Sequence, residues 1–211
     1  MIILINGSFG IGKSTVARLL RRRVPRSLVY NPEWAGSILM RLPRWIRLRG
    51  AGTDDFQDID LWRRSVITGV RLFQAVTTDA VIVPMTFSHR EYFDEVVAGL
   101  KSLDPNVRVF CLRADMATIL ERLDARSRHG RPRAVSWSVG KARACVASHE
   151  DEHFGEPVNT VQASASQVAG AILQRLSAPF APPNDDPEDA ARSQNRERTG
   201  VPARASHVGW W

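Results

Sequence analysis

Residues 7–14 read Gly-Ser-Phe-Gly-Ile-Gly-Lys-Ser, a glycine, four residues, then Gly-Lys-Ser. Each fixed position has a chemical reason. Gly7 and Gly12 let the chain turn tightly with no side chain between backbone and anion. The amides of Ser8, Phe9, Gly10, Ile11 and Gly12 then face inward around a phosphate. The helix that follows presents its positive end, Thr15 included, to the same oxygens. Lys13 spans the β- and γ-phosphates of a triphosphate, and the Ser14 hydroxyl is placed to ligate magnesium. The implied cofactors are ATP and Mg2+. A guanine nucleotide would call for an Asn-Lys-x-Asp run, and the chain has none.

Many loops of this kind add an aspartate at the end of a neighbouring strand. Here that strand ends Val83-Pro84-Met85-Thr86, without a carboxylate. The acid must come from elsewhere. Glu33 follows the second expected strand and emerges on the same carboxyl edge as the phosphate loop; it is either an active-site group or part of an ordinary turn. Asp55, between Asp54 and Asp58, is either catalytic or the start of a helix. Arginines form the second candidate set. Arg122 and Arg126 share a helix face, and Arg128, Arg131 and Arg133 follow in a Gly- and Pro-containing stretch. Such a cap can close over a polyphosphate, exclude water and neutralise charge during phosphoryl transfer. The expected catalytic set is therefore Lys13, Glu33, Asp55, Arg126 and Arg128, with Arg122 and Arg126 on the nucleotide. His149 and His153, beside three acidic residues, read as an exposed acidic helix end rather than a metal site. Trp34 and Trp45 wall an acceptor pocket or belong to the core.

These groups need a scaffold. Ile2–Ile5, Ser27–Tyr30, Ala80–Val83, Val107–Leu112 and Val158–Val161 are apolar enough for strands, several of them buried on both faces. Helical spacing or capping signals follow each. Lys13 to about Arg22 carries Val16, Leu19 and Leu20, and Phe56–Val76 carries Trp62, Val66, Gly69, Phe73 and Val76. Ser88 with Glu91, Asp115, and Ser164 with Gln167 supply caps, and a further helix is expected from Ser136 to about Ser148. Repeated strand–helix units predict an α/β fold with a parallel sheet covered on both faces. The order of strands in space is not readable from periodicity.

Bulk composition agrees. The chain has 211 residues, enough for one domain, with 44% hydrophobic and 24% charged content. Residues 1–178 are expected to form it, with an acceptor region at about 31–75 and a lid at about 126–150. Residues 179–211 are proline-rich, mixed in charge and expected to be mostly disordered. No apolar run reaches membrane-spanning length, and Cys111 and Cys145 suit reduced thiols in a cytoplasmic protein. Twenty-nine Lys and Arg against 22 Asp and Glu give a net charge of +7. Nearly all of the positive charge is arginine, which favours small polyphosphates over nucleic acid.

The residues resemble a known family. Ile3-Leu-Ile-Asn-Gly-Ser-Phe-Gly-Ile-Gly-Lys-Ser14, Tyr30-Asn-Pro-Glu33, Asp54-Asp-Phe-Gln57 with Leu61-Trp-Arg63, and Ile82-Val-Pro-Met-Thr86 with Glu91-Tyr-Phe93 look like the tunicamycin resistance proteins. Leu120-Glu-Arg-Leu-Asp-Ala-Arg126 looks like the lid entrance of the wider group of small P-loop kinases and phosphotransferases. The resemblance runs to roughly residue 175. It implies a P-loop NTPase fold of nucleoside-monophosphate-kinase type: five parallel strands, flanking helices and a helical, arginine-bearing lid. It also implies protection against tunicamycin, either by phosphorylating a hydroxyl of the drug or a related nucleotide-sugar compound, or by sequestering it. One departure stands out. The family tends to carry Asp-Pro-Glu where this chain has Asn31-Pro32-Glu33, and Asn31 cannot accept a proton at neutral pH.

Overall fold

Every residue of Ile2–Gly7 (β1) is buried, because its side chains alternate between two cores. Ile2 and Leu4 pack with Trp62, Val66, Phe93 and Leu100. Ile3 and Ile5 pack with Val16, Leu20, Phe110 and Ile172. A continuously apolar strand is what such a position requires. Ser27–Val29 (β2), Ala80–Pro84 (β3), Val107–Arg113 (β4) and Glu156–Asn159 (β5) complete a five-stranded parallel sheet in the order β2-β3-β1-β4-β5. The first strand is thus central, and the phosphate loop leaves the carboxyl edge between β3 and β4.

The computed structural model describes residues 1–32, 59–76, 79–127 and 132–177. Met1–Ser177 is one compact unit. Helices Asp60–Gln74 (α2) and Arg90–Leu103 (α3) cover one sheet face through Trp62, Val66, Val70, Phe93, Val96 and Leu100. Lys13–Arg23 (α1) and Ala165–Ser177 (α6) cover the other. Met116–Ser127 (α4) and Pro132–Ser148 (α5) pack together through a small cluster of Ile119, Leu123 and Ala142, with Phe9 against it. Among the described residues, no helix is long and apolar enough to cross a membrane.

Local signals fared unequally. Ser164 and Gln167 form the expected reciprocal cap: the Ser164 amide donates to Gln167 Oε1 at 2.8 Å, and the Gln167 amide to Ser164 Oγ at 3.2 Å. Asp115 Oδ1 accepts from the Thr118 amide at 2.7 Å, which holds its carboxyl below the ordinary range. Ser88 does not cap α3; His89 is the cap residue, without a side-chain bond, so the expected box is one position out of register. Val76 falls past the end of α2 and is 75% exposed, not on its buried stripe. The last strand lies two residues earlier than Val158–Val161, because Asn159 Oδ1 takes the Val161 amide at 2.8 Å and starts a turn. Helix α5 begins at Pro132 rather than Ser136; proline suits a first helical turn, where its missing N–H is not needed. The tail from residue 179, Trp34, Trp45 and most of the acceptor region lie outside the described residues.

Candidate functional site

At the end of β1 the chain turns through Gly7, Gly10 and Gly12, with φ of 152°, 81° and 106°. The last two are left-handed values that side chains rarely adopt. A Cβ on Gly12 would meet nothing within 4 Å, whereas one on Gly10 would lie 2.8 Å from the Leu123 side chain. Gly12 therefore lines an open cradle, and Gly10 lets α4 press against the back of the loop. Gly12 also caps α1: its carbonyl accepts from the Thr15 and Val16 amides, both at 3.0 Å. The positive end of that helix faces the loop.

The side chains around the cradle are fixed. Lys13 is only 7% exposed. Its Nζ donates to the carbonyls of Gly7 and Ser8 at 3.0 and 3.1 Å and lies 5.5 Å from the centre of the Phe9 ring. Ser14 and Thr15 are exposed on the first turn of α1. Asn6 is fully buried, and its Oδ1 accepts from the amides of Gly7 and Phe87, both at 2.8 Å. Its Nδ2 donates to Phe154 O at 3.4 Å. One amide thus ties the start of the phosphate loop to the segment after β3 and to the turn before β5.

Beside the loop is a recess of about 160 Å³, lined by Gly12, Thr15, Arg122, Thr160, Ala163 and Val168 among others. Arg122 forms one wall by bridging two loops. Its Nη1 donates to Ile11 O at 3.1 Å and to Thr160 Oγ1 at 3.0 Å, and its Nη2 to Thr160 O at 2.6 Å. The cradle and recess fit a nucleotide: backbone amides and Lys13 for the phosphates, and a narrow half-apolar slot for the base. For magnesium, the protein offers the exposed Ser14 hydroxyl, while Met85 and Thr86, just after β3, supply no carboxylate. Arg122→Ala should weaken ATP binding by roughly 10- to 100-fold, since charge-assisted bonds contribute about 1.5–3 kcal/mol. Calorimetric titration checks this, and unchanged affinity would show that the clamp does not shape the recess.

The structure therefore brings Gly7–Thr15 and Arg122 together. Arg126 lies in the last turn of α4, and its side chain is outside the described residues, as are Glu33, Asp55 and Arg128. Sequence reasoning missed Asn6, Thr160, Ala163 and Val168. Asn6 at least directly precedes Gly7; nothing local marks the other three, which reach the site only through sheet order.

His149 corrects an expectation. It is not on an exposed acidic end but 3% exposed, with Nε2 donating to Phe87 O at 2.6 Å. Burial, with Lys13 and Arg113 nearby, pushes its pKa down to about 4 despite the bond to Phe87. The unfolded chain binds a proton at about 6.5, so between those values the unfolded state holds more protons and stability falls as pH falls. The loss should approach about 3 kcal/mol by pH 4. Denaturant titrations at stepped pH should show this slope in the parent and its absence in His149→Gln. The Cys111 thiol, pushed up to about 11 chiefly by burial, is inert near neutral pH. Among the described residues no His, Cys, Asp and Glu group is arranged to hold a metal ion.

A family model described as an AAA domain matches residues 2–144. No curated protein matches the chain significantly. In structure it is similar to the Deinococcus radiodurans tunicamycin resistance protein, with 30% identity, 86% of this chain and 98% of that chain covered, and a TM-score of 0.65. A gluconokinase from Sinorhizobium meliloti 1021 shares 21% identity over 83% of this chain and 92% of its own, at a TM-score of 0.55. A shikimate kinase from Acinetobacter baumannii, in complex with shikimate, shares 17% over 83% and 92%, at 0.53. The last two show the fold alone. With its five-stranded parallel sheet, its phosphate loop and a likeness spanning nearly all of the Deinococcus chain, this protein belongs to the tunicamycin resistance protein family, on the P-loop kinase-like fold.

Proposed function

We propose that the protein is an ATP- and magnesium-dependent phosphotransferase acting on a hydroxyl of a small molecule, with tunicamycin or a related nucleotide-sugar compound as the acceptor. The observation that carries this reading is the cradle at Gly7–Ser14, with Lys13 buried beside it. ATP, when bound, supplies the phosphoryl group. Lys13 and the loop amides hold the phosphates, Ser14 is the protein's ligand for the metal, and the Arg122 wall orients the base. Glu33 and Asp55 are the candidates to accept the proton of the acceptor hydroxyl, and Arg126 and Arg128 to neutralise moving charge. Two buried cysteines, Cys111 and Cys145, that form no disulfide suit a reducing, cytoplasmic setting.

A second reading is sequestration of the drug without transfer. It is favoured by Asn31 after β2 and by the end of β3 at Pro84, with Met85 and Thr86 beyond it and no carboxylate. Mass spectrometry of tunicamycin incubated with protein and MgATP separates the two. A product heavier by one phosphoryl group supports transfer; tight drug binding without that product supports sequestration.

A further inference from the structure

The phosphate-loop motif fixes Gly7, Gly12, Lys13 and Ser14 by their chemistry and leaves residues 8–11 open. For amides here to line a cradle, the side chains must lie outside it, and each is held by the surrounding fold. Ser8 Oγ donates to Ala142 O of α5 at 3.4 Å. Gly10 lies against α4, where a Cβ would come within 2.8 Å of the Leu123 side chain. Ile11 packs with Val16 and Leu20, and its carbonyl accepts from Arg122 Nη1 at 3.1 Å.

Phe9 is the largest side chain of the set. It is half-buried, against Ile119, Leu123 and Ala142 where α4 meets α5. That contact needs only an apolar group of similar size. The ring has a second neighbour that an aliphatic group would not serve: Lys13 Nζ lies over it, 5.5 Å from its centre. A ring face attracts an ammonium within about 6 Å, and more strongly where water is excluded; Lys13 is 7% exposed. The ring and the carbonyls of Gly7 and Ser8 thus order a long, flexible side chain before any ligand arrives. A group ordered in advance costs less to engage.

We propose that Phe9 is a positioning residue for the phosphate site: seated on α4 and α5, its ring holds the Lys13 ammonium in place, so that affinity for a polyphosphate depends on an aromatic side chain at this position. The inference rests on the nucleotide reading and acts through Lys13. MgATP and magnesium tripolyphosphate, which has the phosphates without the base, are titrated calorimetrically into the full chain and its variants. Phe9→Leu should weaken both ligands by the same factor, roughly three- to thirtyfold, while cooperative unfolding in denaturant is retained. Phe9→Met, also apolar and without a ring, should do the same and carries the comparison if Phe9→Leu does not fold. Phe9→Tyr, which keeps the ring, should bind both ligands within about twofold of the parent. Packing alone predicts parent-like affinity in Phe9→Leu and Phe9→Met, and that result overturns the proposal. So does a loss confined to MgATP, or a Phe9→Tyr variant that binds as weakly as Phe9→Leu. Failure of the nucleotide reading is a different result: the parent itself would give no heat with either ligand.

Discussion

Lys13→Ala should abolish MgATP turnover and weaken nucleotide binding by about a hundredfold or more, as measured by steady-state assay and calorimetry. The ammonium already donates to two carbonyls of the loop it serves, at 3.0 and 3.1 Å. Its loss therefore removes a phosphate ligand and slackens the turn between Gly7 and Ser8 together. Lys13→Arg should not restore activity, because a planar fork cannot replace a compact point charge in a space where the parent side chain is 7% exposed. Turnover at the parent rate in Lys13→Ala would remove the site from consideration.

The second large effect is expected at Asn6. Asn6→Leu keeps the branched shape and heavy-atom count but strips partners from the buried amides of Gly7 and Phe87. Each unmatched donor costs about 1–3 kcal/mol, so the variant should lose about 2–6 kcal/mol of stability in denaturant unfolding. Asn6→Asp keeps both acceptor contacts and gives up only the longer bond to Phe154 O. It should recover much of the loss at neutral pH. Equal destabilisation by the two variants would show that the two N–H bonds are not what matters.

The phosphate loop was legible because its chemistry is written in consecutive residues. The Ile2–Ile5 part of β1 was legible too, since a strand buried on both faces is apolar along its run; the strand itself continues through Asn6 to Gly7. Strand order was not, because hydrogen bonds between β1, β3 and β4 join segments far apart in the chain and leave no periodic trace. His149 misled for a related reason. Its neighbours Glu150 and Glu152 are exposed and suggested a solvated end, but the Phe87 carbonyl arrives from far along the chain to take its Nε2, and the Phe154 ring packs edge-on against it. The capping signals divide on register: Ser164 sits at the true helix boundary, whereas Ser88 sits one residue ahead of it.

Arg122 has a further consequence. Loops are cheap to form but hold position poorly, and the two walls of the recess beside α1 belong to opposite ends of the chain. A single guanidinium that fastens Ile11 to Thr160 turns them into one jaw, ordered when the chain folds rather than when the ligand arrives. Under the proposed function, nucleotide affinity then depends on the seating of β5: a substitution that loosens this edge strand should weaken binding without touching the nucleotide at all.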